Sequence, residues 1–130
     1  MFERILVPLD GWDESEQIIP FAADLARAVG ASVGLYNVRV NALVEEGPAA
    51  TVITDVAGSH PGTVVAIATH GKVGLGRLFS GSVADEVLRN TSCPVLLLGP
   101  HHAERGSSGF GAAVVPLDNS ELGEKALPLA

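Results

Sequence analysis

The chain has 130 residues, a length typical of one domain. Hydrophobic residues make up 47% and charged residues 18%, so it is too apolar and too weakly charged to be intrinsically disordered. Acidic residues outnumber basic ones 15 to 8, which argues against nucleic acid or an anionic membrane as partner. One cysteine excludes an internal disulfide framework. With no N-terminal signal pattern and no apolar run of about 20 residues, we expect a cytoplasmic protein.

The first 38 residues predict a strand, a helix and a second strand. Ile5–Leu9 is an apolar run that ends at Asp10 and reads as a buried strand. A helical pattern follows, in which Pro20 is expected to introduce a bend. Its apolar face consists of Ile18, Ala22, Leu25, Ala26 and Val29. Ser32–Val38 reads as the second strand.

Strands and helices continue to alternate up to residue 98. Residues 48–57 predict a short helix, and Val64–Ala68 is apolar throughout, as in a central parallel strand buried on both faces. A helix is predicted over residues 82–90 and a last strand over Val95–Leu98. This alternation predicts an α/β fold with a doubly wound parallel sheet.

The C-terminal part repeats the beginning of the chain. Val115–Asp118 has the same sequence as Val7–Asp10, and Pro20 and Pro128 each follow ten residues after the aspartate. The stretch between the last strand and this repeat is rich in glycine and serine, as linkers are. We therefore predict a domain over residues 1–98, a linker over residues 99–112 and the truncated start of a second repeat over residues 113–130.

Three features of the sequence converge on the carboxyl edge of the predicted sheet, where doubly wound folds bind ligands. Asp10 ends the first strand, residues 68–71 end the strand before a glycine-rich loop, and Gly81-Ser82 opens the next helix. A helix N-terminus offers free N–H groups to a phosphate, and glycine lets an anion approach the backbone closely. The pattern predicts a phosphate-bearing ligand.

The distribution of charge supports an anionic ligand. Residues 1–62 hold nine acidic and three basic residues, whereas residues 63–110 hold three acidic and four basic ones. The loop itself carries Lys72 and Arg77 and no acidic residue. A cationic loop on an acidic chain would attract a phosphate.

This arrangement resembles the nucleotide-binding type of universal stress protein, and the repeat resembles its tandem-domain members. The family motif is glycine, two residues, glycine, nine residues, glycine and serine or threonine. Gly71, nine residues and Gly81-Ser82 fit it, with Ala68 in place of the first glycine. The likeness runs almost throughout residues 68–98 and over Ile5–Ala26. It implies a three-layer α/β/α fold like that of the adenine-nucleotide α-hydrolases.

The resemblance further implies a stress-response or signalling domain that binds ATP, with or without Mg²⁺. Asp10 would lie beside the ribose or adenine, and Pro8, Leu9 and Val38 would frame the adenine. Ribose and phosphates would be lined by Ala68, His70, Gly71, Lys72, Gly81, Ser82 and Val83. No catalytic residues are implied, and slow ATP hydrolysis is the most that we expect.

One βα unit of the family is missing from the predicted order. Only residues 41–63 separate the second strand from the next clear one, and a βαβ unit takes about 30 residues or more. The family's second helix and third strand are the absent elements. Both this gap and Ala68 favour a different hypothesis, a dimerisation or interaction module of the same family that does not bind nucleotide.

A catalytic dyad and an electron carrier fit the residues less well. His70 could act as a base with Asp10, although shaping the loop is its more ordinary role. A flavodoxin-like electron carrier would need a phosphate loop directly after the first strand, and that turn is acidic here.

Assembly is predicted from the edges of the sheet. The resemblance suggests a homodimer paired through the edge strand Val95–Leu98. The segment from Ala113 could also add to a sheet as a strand exchanged between chains.

Overall fold

The computed structural model describes residues 1–37, 49–69, 82–99, 109–112, 114–118 and 120–124. Four strands and five helices lie in these ranges. They are β1 (Arg4–Leu9), α1 (Asp13–Glu16), α2 (Ile19–Val29), β2 (Ser32–Asn37), α3 (Ala49–Gly58), β3 (Thr63–Ala68), α4 (Ser82–Asn90), β4 (Val95–Leu98) and α5 (Glu121–Glu124).

The strands form one parallel sheet in the order β2-β1-β3-β4. β1 pairs with β2 along its whole length, and β3 pairs with β4 from Val65 to Ala68. This is the α/β sheet that the alternating pattern predicts, with four strands in the described residues. The family's additional βα unit, which the sequence lacks, would lie between β2 and α3. Residues 38–48 of that stretch are outside the described residues.

Two hydrophobic clusters lie on opposite faces of the sheet. Side chains alternate between the faces along each strand, so Ile5 and Val7 point to one side and Leu6 to the other. Ile5 and Val7 pack with Ile18 and the buried side of α2. The opposite cluster packs Leu6 and Val65 against α3 and α4. The two clusters account for the three-layer arrangement.

The single bent helix that we expect after β1 is instead two helices, α1 and α2. Pro20 lies in the first turn of α2, where its missing N–H costs nothing because no intrahelical acceptor exists there. Gly30 ends α2 with a φ of 70°, in the left-handed region, and its N–H donates to the carbonyl of Ala26.

The two edges of the sheet differ in how far they are covered. β4 is half-buried up to Leu98, which is buried, whereas five of the six residues of β2 are exposed. Val33, Leu35 and Tyr36 of β2 are 39%, 57% and 40% exposed. β2 is therefore an apolar edge strand with little cover on either face.

Residues 115–117 repeat the sequence of the end of β1 but form no strand, since residues 114–118 have no regular secondary structure. Gly109, just before them, donates its N–H to the carboxylate of Asp24 on α2 at 3.1 Å. The division into domain, linker and second repeat stays a prediction. Among the described helices none is long and apolar enough to cross a membrane.

Candidate functional site

The carboxyl edge of β1 and β3 is the point at which the sheet changes direction. From β1 the chain passes to β2 on one side, and from β2 it returns through α3 to β3 on the other side. In doubly wound sheets this switch point opens a crevice above the strand ends. β1 and β3 pair only from Arg4↔Thr63 to Leu6↔Val65, although each continues for three more residues.

Pro8 explains why this pairing stops. The N–H of Arg4 donates to Gly62, next to β3, and N–H groups alternate in direction along a strand. The nitrogens of Leu6 and Pro8 therefore also point towards β3, and proline has no hydrogen to donate. On the β2 side the ladder continues undisturbed to Leu9. One residue thus ends the hydrogen-bonded pairing of β1 with β3 without weakening the ladder between β1 and β2.

Asp10 follows β1 and is held in a tight turn. Its carboxylate Oδ1 accepts the N–H of Trp12 at 3.0 Å. The hydroxyl of Ser15 donates to the carbonyl of Trp12 at 2.8 Å and accepts the N–H of Asp10 at 3.4 Å. Ser15 is only 6% exposed, whereas Asp10 is exposed. The buried hydroxyl of Ser15 therefore holds the backbone of the turn, and the turn places the exposed carboxylate of Asp10 at the edge of the sheet.

The site residues predicted from the sequence do not include Ser15. The only signal that could have indicated it is a small polar residue in the first turn after an aspartate, because such residues bond locally to backbone groups. That signal occurs at many helix starts, and it does not tell a buried hydroxyl from an exposed one.

The end of β3 is fixed from the β4 side. Thr69 donates both its N–H and its hydroxyl to the carbonyl of Leu98, at 2.9 and 3.2 Å. Ala68 is half-buried, and its side chain packs against the cluster beneath α2, as that of Leu9 does. Because the methyl of Ala68 packs on the core, alanine in place of the motif's glycine adds no side chain on the opposite face of the sheet.

α4 begins at Ser82 and returns to β4, so its N-terminus belongs to the same edge as the ends of β1 and β3. The first N–H groups of a helix have no intrahelical acceptor and carry a partial positive charge. Val83 packs on the cluster formed with α3. Asp85 is paired with Arg89 at 3.0 Å, and this hydrogen bond raises the pKa of Arg89.

The structure therefore places part of the predicted site. Pro8, Leu9, Asp10 and Ala68 lie at one edge of the sheet, and Val83 lies in the first turn of α4. The described residues contain no group of acidic, histidine or cysteine side chains that could hold a metal ion. Outside the described residues are Val38, His70, Gly71, Lys72, Gly81 and the side chain of Ser82.

Comparison with known proteins places this architecture among characterised families. The Universal stress protein family model matches residues 36–99. Universal stress protein MJ0531 of Methanocaldococcus jannaschii is 35% identical over 63 residues, which cover 48% of this chain and 37% of that protein. The match thus spans little more than a third of this relative.

A solved structure has the same fold as this chain. A universal stress protein, crystallised in complex with cAMP, aligns with a TM-score of 0.61 and 16% identity, over 75% of this chain and 97% of its own. The family match runs from the end of β2 through α3, β3 and α4 to the end of β4. Over these residues, and in its parallel sheet with a switch point beside Asp10, this chain matches the universal stress protein family.

Proposed function

We propose that the chain binds an adenine nucleotide, ATP in the first place, at the carboxyl edge of β1 and β3. The observation that carries the proposal is the end of the β1–β3 ladder at Pro8, next to the carboxylate of Asp10 at the switch point. The switch point of a doubly wound sheet is where such folds hold their ligands. The family match and the cAMP complex of a protein with this fold support an adenine nucleotide.

Each end of the nucleotide has a chemically suitable partner. Carboxylate oxygens accept hydrogen bonds only, so Asp10 suits the hydroxyl groups of a ribose. The N-terminus of α4, with Gly81-Ser82 and the loop beginning at Gly71, suits the phosphates. Lys72 and His70 would lie on this loop and Val38 beside the adenine. Mg²⁺, if it takes part, would arrive with the nucleotide and be held mainly by phosphate oxygens.

The proposed role is signalling rather than catalysis. The family resemblance implies nucleotide binding and no catalytic residue. Binding would therefore report nucleotide levels, with slow hydrolysis as the upper limit. We also propose that two chains pair along an edge of the sheet. Val95–Leu98 is one candidate, since β4 is an edge strand of apolar sequence, and the opposite edge, β2, is the other.

Isothermal titration of the full chain with ATP and with cAMP tests the proposal. The Gly81→Val variant should lose binding, because a branched side chain would cover the helix N-terminus that receives the phosphates. The Gly58→Val variant is the control: a Cβ there meets no atom within 4 Å, and α3 lies outside the site. No heat with either nucleotide, on a folded chain, would favour the interaction module that binds no nucleotide.

A further inference from the structure

The free edge of β2 presents backbone groups for which the described sheet offers no neighbour. Ser32 donates its N–H to Glu3, next to β1, at 3.0 Å. Because N–H groups alternate along a strand, those of Val33, Leu35 and Asn37 point away from β1. β2 is the outermost strand of the sheet, and its apolar side chains are exposed. Exposed apolar edges are templates for an added strand.

The same chain contains a segment with the properties of such a strand. Val114–Leu117 is apolar, and Val114 and Leu117 are 93% and 48% exposed. Its Val115-Pro116-Leu117 has the sequence of Val7-Pro8-Leu9, which pairs with β2 from the opposite side. The segment therefore repeats a sequence that already forms a ladder with β2.

Pro116 determines which N–H groups of the segment can point towards β2. Pro116 has no N–H, so it must point away from β2, as Pro8 does in β1. The N–H groups of Val115 and Leu117 then point towards β2, and that of Val114 points away.

One parallel register with this direction places Pro116 opposite Leu35. Opposite residues of neighbouring strands lie on the same face of the sheet. Val114 then lies beside Val33 and Leu117 beside Tyr36, so the exposed side chains on each partner cover one another. Val115 falls beside Gly34, which has no side chain to obstruct it.

We propose that the free edge of β2 binds the Val114–Leu117 segment of a second copy of the chain. Within one chain, Gly109 is bonded to Asp24 on α2, a helix that packs on the sheet, yet Val114 and Leu117 are exposed and the segment forms no strand in the described structure. Reciprocal exchange between two copies pairs both free edges at once and gives a closed two-fold dimer.

Matched proline variants test the hydrogen-bonding direction. Both variants replace a valine by proline. Val115→Pro removes an N–H that points towards β2 in the proposed pairing, whereas Val114→Pro removes an N–H that points away from β2. Sedimentation equilibrium should give a mass twice the 13.3 kDa of one chain for the native protein and for Val114→Pro. Val115→Pro should raise the dimer dissociation constant about tenfold or more relative to Val114→Pro, since it loses inter-strand hydrogen bonds at both ends of the exchange.

Cross-linking tests the source of the segment. Chains carrying Cys93→Ser and either Tyr36→Cys or Leu117→Cys are mixed and treated with a short bis-maleimide. A covalent heterodimer should form. Ser32→Cys in place of Tyr36→Cys should give little of this heterodimer, because position 32 lies about 13 Å from position 36 along β2.

Two results would overturn the proposal. One is a native chain that is monomeric, or a dimer that both proline variants leave equally stable, as pairing through β4 alone would give. The other is cross-linking only within a single chain carrying both cysteines, which would mean that the segment folds back on its own β2. Neither result bears on nucleotide binding, which the titration measures separately.

Discussion

Asp118 forms the same turn as Asp10. Its Oδ1 accepts the N–H of Ser120 at 2.9 Å, as Oδ1 of Asp10 accepts that of Trp12 at 3.0 Å. In each case a four-residue helix begins one position later, α1 after the first turn and α5 after the second. The likeness between the two ends of the chain thus extends from sequence to local structure, while the rest of a second repeat stays a prediction.

The two turns provide a matched pair for testing Asp10. Asp10→Asn keeps the size of the side chain but removes the charge that we assign to the ribose, so nucleotide affinity should fall about 10- to 100-fold. Asp118→Asn makes the same change in the same turn at a residue that is not among the predicted site residues, and calorimetry should find its affinity unchanged. Equal effects of the two variants would exclude a specific role for Asp10.

Ser15 should stabilise the fold through its buried hydroxyl. Ser15→Ala removes a donor to the Trp12 carbonyl and should lower the free energy of unfolding by about 1 kcal/mol. Ser59→Ala is the control, because Ser59 also donates to a carbonyl at 2.8 Å but is exposed. Urea denaturation should show that Ser59→Ala changes the free energy of unfolding by less than about 0.5 kcal/mol. The reverse order would contradict a structural role for the Asp10 turn.

Pro8 should prevent the ladder between β1 and β3 from continuing to their carboxyl ends. Pro8→Ala supplies the missing N–H, which can donate to the carbonyl of Ala66 and extend the ladder. Amide exchange should then show that the new N–H at position 8 is protected, and nucleotide binding should weaken. Pro116→Ala adds an N–H to a segment that is unpaired within the chain. If the nucleotide site is at β1 and β3, this second variant should leave affinity unchanged.

The pKa of Asp118 should depend on Ser120. Hydrogen bonds from the side chain and the backbone of Ser120 lower this pKa below its ordinary value. Because the folded pKa is lowered, the stabilisation of the turn is complete above the ordinary aspartate pKa and is lost as the pH falls through the folded one. Carbon-detected NMR titration should show the pKa rising in Ser120→Ala. An unchanged value would mean that the hydroxyl contributes nothing.

The sequence predicted the fold better than the site. The four strands of the sheet follow from apolar runs, and the end of α2 follows from Gly30. Pro20 was expected to bend one helix, but proline fits the first turn of a second one equally well. At residues 115–117 the pattern predicts a strand where none is found within the chain, because a strand needs a neighbour and no local pattern tells whether one is available.

The site was predicted from motif spacing, and spacing cannot show how the backbone is held. Asp10 lies at the sheet edge as expected, yet the residue that fixes it, Ser15, gives no signal in the sequence. Ala68 departs from the motif, and only its packing shows that the methyl points into the core. The glycines and the lysine of the loop keep the roles that the family resemblance implies.

The missing amide hydrogen of Pro8 also affects how the sheet would respond to a ligand. At the amino edge the N–H of Glu3 donates to the carbonyl of Gly62 at 2.8 Å. Gly62 has a φ of +73°, and a Cβ there would lie only 3.1 Å from the carbonyl oxygen of Met1. The ladder between β1 and β3 is therefore held at its amino end, at Gly62, and stops before its carboxyl end. A ligand that binds above the carboxyl ends of these strands would meet fewer hydrogen bonds between β1 and β3 than between β1 and β2.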